Sequence, residues 1–310
     1  MGGDGTFLGP SGIAPLNKTL MLVVDECRHA IAVLDEHGTL VRRIGPDGSD
    51  QSPFRYPTQA VGDGTGGFWV TDRWNHCVRR LDASGHILST TGRYGVASGE
   101  FNEPWGLAQL DDGRLVVADR SNHRLHVLSA DGATAHTCGQ GGYDRNYYEG
   151  TGFKCGYVFR RWSALSNRFC SHETLFHEQG YTLGTLEYPQ GIAAAGGARV
   201  LVADPGLGTV MQCMLDTGRV EPLIPSEKMP LVPTNIAALG HGLFLAMADV
   251  GHTACLLDEQ GNHACIDVAG VEHLTASAPG PGSTLWCLDG WNHRLTCCDC
   301  RFEWPEESAP

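Results

Sequence analysis

The sequence predicts an all-β chain: a single six-bladed β-propeller of four-stranded antiparallel blades, one domain over residues 1–310. Three observations carry this. Six aspartates, Asp25, Asp72, Asp119, Asp204, Asp249 and Asp289, each close a short apolar run and open a turn into another. Their spacings are 47, 47, 85, 45 and 40 residues. A fixed period of about 40–45 residues marks one sheet-like unit copied along the chain. The 85-residue gap is one period plus an insertion, so the units number six and consume the chain. Finally, 41 glycines against 18% charged residues fit many tight turns between short strands.

The unit 101–132, FNEPWGLAQLDDGRLVVADRSNHRLHVLSADG, shows each element in order. Gly106 to Leu110 is a short apolar strand, and Asp111, Asp112 and Gly113 form a turn, because Asp and Gly tolerate positive φ. Arg114 to Ala118 is the second strand, Asp119 to His123 a turn, and Arg124 to Leu128 the third strand. Ala130, Asp131 and Gly132 turn again into a fourth strand around Thr134 to Cys138. Four antiparallel strands repeated six times suit radial blades, which leave only short, protected edges.

The net charge of −13 disfavours general nucleic-acid binding, since an acidic body repels a phosphate backbone. The opening residues, MGGDGTFLGPSGIA, lack the basic and apolar regions of a secretory signal. The apolar stretch Leu20 to Val24 is strand-sized, far short of a membrane span. The expectation is a cytoplasmic protein without membrane association, whose twelve cysteines are reduced thiols.

Phe101, Pro104, Gly106, Asp119, Asn122, His123 and Arg124 resemble the NHL repeat family: an aromatic, Pro-x-Gly-Ile/Leu-Ala, a Val-Ala-Asp strand end, then Asn-His-Arg. Matches recur as Phe7, Pro10, Gly12, Ile13 and Ala14; as Phe54, Pro57, Asp72, Asn75 and His76; and as Tyr188, Pro189, Gly191, Ile192, Ala193 and Asp204. The last unit keeps Asp289, Asn292, His293 and Arg294. The resemblance covers the whole chain and implies a propeller, a fold that hosts binders and enzymes alike.

Asp119 with Arg124, and Asp289 with Arg294, are expected to pair across a hairpin. Asp25, Asp72, Asp204 and Asp249 meet Ala30, Cys77, Thr209 and Ala254 instead, and are expected to accept backbone N–H groups. His29, His76, His123 and His293 recur at one repeat position, so they lie on separate blades and cannot converge on one ion. In the related amidating lyases the zinc histidines follow the inner-strand Pro. Ser11, Thr58, Trp105, Gln190, Thr234 and Thr275 stand there, and none is His. Those residues, with Gln59 and Asn235, are expected at the mouth of the central channel. No cofactor is required by the sequence, although a divalent ion in the channel is compatible with it. Cys287, Cys298 and Cys300 fall on one side of the last hairpin and Cys297 on the other, in an arrangement that reads as core thiols.

In the family, the Asp-to-Asn turn and the inner-strand start share one face. That places Glu26, Arg73, Trp74, Trp105, Arg120 and Trp291 together as a candidate binding face, with Gln190 and Asn235 nearby. Indole and guanidinium groups are enriched at binding hot spots. The insertion 141–177 is rich in aromatic and basic residues, among them Tyr147, Tyr148, Arg160, Arg161 and Trp162, and reads as a lid or docking arm. The expected function is binding of a small-molecule ligand or a protein or peptide by this face, gated by the insertion. The alternative is a channel-centred lyase or hydrolase of the six-bladed type, with RNA binding less favoured.

Overall fold

A computed structural model describes residues 6–45, 53–139, 186–248, 251–280 and 284–299. The insertion 141–177, with Tyr147, Tyr148, Arg160, Arg161 and Trp162, lies outside the described residues, as do Asp249 and Cys300.

The first blade holds β1 (Pro10–Pro15), β2 (Leu20–Asp25), β3 (Ala30–Asp35) and β4 (Leu40–Ile44), and the second β5 (Pro57–Gly62), β6 (Phe68–Asp72), β7 (Cys77–Leu81) and β8 (Ile87–Thr91). The third holds β9 (Pro104–Gln109), β10 (Leu115–Asp119), β11 (Arg124–Leu128) and β12 (Thr134–Cys138). The fourth holds β13 (Ile192–Ala194), β14 (Arg199–Asp204), β15 (Thr209–Met214) and β16 (Arg219–Pro222). The fifth holds β17 (Asn235–Gly240), β18 (Leu243–Met247), β19 (Thr253–Asp258) and β20 (His263–Asp267), and the sixth β21 (Leu274–Pro279), β22 (Thr284–Asp289) and β23 (Arg294–Asp299). Every sheet is antiparallel in simple sequence order. The sixth blade departs from the expected four strands: among the described residues it has three.

Six apolar clusters fill the spaces between neighbouring blades. Residues alternate along each strand, so a blade sandwiched between two others must be apolar on both faces. Strand β2 illustrates this. Met21 and Val23 pack toward the sixth blade, while Leu22 and Val24 pack toward the second. The continuous run LMLVVD is therefore a strand buried on both sides. Phe7, Ile13 and Val23 meet Ala276, Trp286 and Leu288, which closes the ring between the first and last blades.

The five described aspartates of the repeat are fully buried. Each accepts N–H groups from the segment that enters its own blade. Asp25 takes those of Leu8 (3.0 Å) and Gly9 (2.9 Å), Asp72 that of Arg55 (2.7 Å), and Asp119 that of Asn102 (2.7 Å). Asp204 takes those of Glu187 (2.8 Å) and Tyr188 (2.9 Å), and Asp289 that of Glu272 (3.0 Å). The Asn of the repeat adds a second tie: Asn75, Asn122 and Asn292 donate their amides to the aspartate three residues back.

The two expected ion pairs form, Asp119 with Arg124 at 2.9 Å and Asp289 with Arg294 at 3.3 Å. The reading of Asp25 and Asp72 as lacking an arginine needs correction. Arg28 lies 3.3 Å and Arg43 3.9 Å from Asp25, and Arg79 lies 2.8 Å from Asp72. The cations come from the following turn and from neighbouring strands, where the hairpin rule does not look. Asp204 receives N–H groups alone among the described residues, and burial pushes its carboxyl above the ordinary range.

A second correction concerns the fourth unit. The buried aromatic position of Phe7, Phe54 and Phe101, three residues before Pro, is held there by Leu186, which is 2% exposed. Tyr188 stands directly before Pro189, the place of Tyr56 in the second blade.

The innermost strands approach too closely for side chains. A Cβ on Gly106 would lie 1.9 Å from the Gln190 carbonyl oxygen, and one on Gly191 would lie 2.6 Å from Asn235 Cα. Around this ring Thr275 donates to the Pro10 carbonyl (3.4 Å), Ser11 to that of Thr58 (3.1 Å), Thr58 to that of Trp105 (2.9 Å), and Asn235 to that of Thr275 (3.0 Å).

Asp119→Ala would leave the buried Arg124 guanidinium and the Asn102 N–H without their carboxylate. Breaking a buried ion pair from one side costs about 3–5 kcal/mol. Urea unfolding should register a loss of that size. A change below about 1 kcal/mol would show the pair behaving as a surface ion pair.

Candidate functional site

In the first three blades the chain leaves the buried aspartate through one turn of 3-10 helix, Glu26–Arg28, Arg73–Asn75 or Arg120–Asn122. The turn ends on a histidine in the left-handed region, His29, His76 or His123 (φ 53, 52 and 57°). In the second and third blades the second residue after the aspartate is thereby tied to the residue two before the inner-strand proline. The Trp74 N–H donates to the Arg55 carbonyl (3.0 Å) and the Ser121 N–H to that of Asn102 (3.1 Å).

Three of these turns and three pre-proline residues build one continuous arc over blades one to four. Arg73 pairs with Glu26 at 2.7 Å and approaches Glu103 at 3.6 Å, while Arg120 reaches Glu103 at 3.4 Å. Ser121 Oγ donates to the same Glu103 carboxylate at 2.7 Å. Trp105 lies between the two guanidiniums, 4.7 Å from that of Arg73 and 4.8 Å from that of Arg120. Both distances are within cation–π range. Tyr56 and Trp74 flank Arg73, with their rings 4.5 Å apart, and Tyr188 flanks Arg120 at 5.4 Å. Arg73 is 14% exposed and Trp74 40%. The arc is thus a stack of guanidiniums and rings whose two cations already face two carboxylates.

Arg73, Trp74, Trp105 and Arg120 are brought together as expected from the repeat. Trp291 stands apart on the sixth blade, 71% exposed and stacked on His273 at 4.2 Å. Gln190 is buried at the seam with the third blade, and Asn235 spends its amide on the Thr275 carbonyl. Asn235 thereby ties the fifth blade to the sixth at the inner ring.

Tyr56, Glu103 and Tyr188 join the arc, although the repeat pattern alone does not mark them as site residues. A signal existed: each directly precedes the inner-strand proline. Tyr56 and Glu103 also hold φ of 51 and 55°, which few non-glycine residues adopt.

The histidines are spread over separate blades, and His29, His76 and His123 each reach the segment entering the next. His29 Nδ1 accepts the Tyr56 N–H (3.0 Å), His76 Nδ1 accepts the Glu103 N–H (3.2 Å), and His123 Nδ1 bonds the Glu187 carbonyl. The nine described cysteines are free thiols, with Cys287 buried, Cys298 half-buried and Cys297 exposed. Among the described residues, no three of His, Cys, Asp and Glu converge as a metal-ligand set. Nor is any described helix long and apolar enough to cross a membrane.

Residues 101–128, which hold the first three strands of the third blade, match the NHL repeat model. This segment is an NHL repeat. No curated protein matches the chain by sequence. Among solved structures, a streptogramin B lyase is 14% identical, with a TM-score of 0.62 over 95% of this chain and 84% of its own. The virginiamycin B lyase of Staphylococcus aureus is 12% identical, at a TM-score of 0.59 over 95% and 85%. A gluconolactonase of Xanthomonas campestris is 13% identical, at 0.63 over 94% and 86%. At these identities the likeness is one of fold alone.

Burial pushes the His76 imidazole below its ordinary value, against the opposing pull of Glu103 and Asp119. Its Nδ1 accepts the hydrogen bond from the Glu103 N–H only while unprotonated. A depressed histidine stabilises the fold above its ordinary value of about 6.5 and loses that contribution as pH falls through the lower folded value. His76→Asn keeps a residue that tolerates positive φ but cannot titrate. The stability gap between wild type and His76→Asn should therefore narrow between pH 7.5 and 5.0 in parallel urea titrations. A constant gap would contradict the staple.

Proposed function

We propose that this propeller is a binding protein for a small-molecule ligand or a protein or peptide, recognised by the arc of Arg73, Trp74, Trp105 and Arg120. The observation that carries this reading is the indole of Trp105 held between two guanidiniums, with Tyr56, Trp74 and Tyr188 extending the same surface. Such a stack offers large, rigid contact area, and its carboxylates fix the arginine forks in advance, so little order is lost on binding. Because Glu26 and Glu103 already answer both cations, the arc favours a ligand with planar apolar surface over a bare phosphate backbone.

An enzymatic reading is the second. It is supported by the lyase and gluconolactonase folds among the similar structures, and it takes the substrate in the channel below the arc, where a divalent ion would also sit. Lactone hydrolysis and opening of a streptogramin B ring, assayed with and without added divalent cation, test it directly.

For the binding reading, a displayed library of random peptides and a library of aromatic small molecules should be selected on wild-type protein. Binders should lose at least tenfold in affinity on Trp105→Ala and on Trp74→Ala, and keep it on Trp291→Ala. Binders that ignore the first two variants would place recognition elsewhere. An affinity that falls steeply with salt would move the reading toward a polyanion.

A further inference from the structure

The geometry points to Cys255 and Cys265 as a reversible dithiol/disulfide site on the outer hairpin of the fifth blade, oxidised by low-molecular-weight disulfides. The two residues stand directly opposite each other on β19 and β20. Opposite residues of an antiparallel pair share one face of the sheet. Two positions away, Thr253 and Asp267 face each other in the same register and their side chains meet at 2.9 Å.

The ladder's hydrogen bonds fix the spacing. In this register the Asp258 N–H donates to the opposite Asn262 carbonyl (3.0 Å), and the Val268 N–H to the opposite His252 carbonyl (3.1 Å). Bonded and non-bonded pairs alternate along an antiparallel ladder. Cys255 lies three residues from each of these bonded positions, so Cys255 and Cys265 form a non-hydrogen-bonded pair. Such pairs have Cα atoms about 4.5 Å apart, inside the window of about 4.4–6.8 Å that a disulfide spans. No other two described cysteines oppose each other: Cys77 faces Asp72, Cys138 faces Leu125, Cys287 faces Thr296, Cys297 faces Trp286 and Cys298 faces Leu285.

The environments divide the labour. Cys265 is exposed, while Cys255 is buried in the seam between the fourth and fifth blades. Burial, with Cys265 beside it, pushes the Cys255 thiol up to about 12. The exposed Cys265 thiolate attacks the incoming disulfide, forming a mixed disulfide and releasing one thiol. Cys255 then attacks the Cys265 sulfur and releases the second. The two protein thiols are oxidised, the small disulfide is reduced to two thiols, and the two protons leave with them. The bond ties the outermost strand of the blade to its neighbour.

The test treats the native full chain with oxidised glutathione, quenches it with acid, and cleaves after Glu259, which lies between the two thiols. The expected result is that the two fragments stay joined, at a mass lower by two hydrogens, until a reductant is added. Cys265→Ser should abolish the link while leaving the unfolding midpoint of the reduced protein unchanged. In Cys255→Ala the glutathione adduct should persist on Cys265 at least tenfold longer than in wild type. A stable adduct on Cys265 of wild type would overturn the proposal, as would modification of the exposed Cys27 and Cys297 with Cys265 and Cys255 left free.

Discussion

The buried carboxylate at the end of each second strand is the interaction on which the rest of the structure depends. A charge removed from water must find donors, and here each carboxylate takes at least one backbone N–H from the segment that enters the same blade. One side chain thereby fixes where the innermost strand begins, how the turn after the aspartate leaves the sheet, and which residues share the face. The arginines near Asp25, Asp72, Asp119 and Asp289 answer the charge from different positions. The geometry is conserved across blades while the cation that balances it is not.

The repeat histidine carries the same logic across the seam. By bonding the segment that enters the next blade, it sets the pre-proline residue of that blade beside the turn of its own. The candidate site follows from this coupling. Tyr56 and Glu103 project beside Arg73, and Tyr188 beside Arg120, because each pre-proline residue is held at both ends by a scaffold contact. The site is rigid for the same reason that the ring is.

The fold was legible in the sequence because its signals are local and repeated. The apolar run, the aspartate and the tight turn are each read from a few neighbouring residues. Of the site, Arg73, Trp74, Trp105 and Arg120 could be placed on one face by their position in the repeat. The pairing of those arginines with Glu26 and Glu103 could not, because Arg73 reaches the blades on either side and Arg120 the entry of its own, through side chains whose reach no spacing rule describes. Gln190 and Asn235 illustrate the opposite difficulty. As polar residues at the start of inner strands they read as channel groups, yet Gln190 is buried and half-buried Asn235 donates its amide to the Thr275 carbonyl of the next blade.

Hydrogen exchange on the native protein tests the central claim most directly. The amides of Arg55, Asn102 and Glu187 lie outside any strand, in segments that a solvated loop would expose to exchange. If the buried aspartates organise the blades, these amides exchange as slowly as those of the central strands, Val70 or Val117, and open only with global unfolding. Exchange at loop rates would contradict the account, because the carboxylates would then be satisfied without holding the incoming chain.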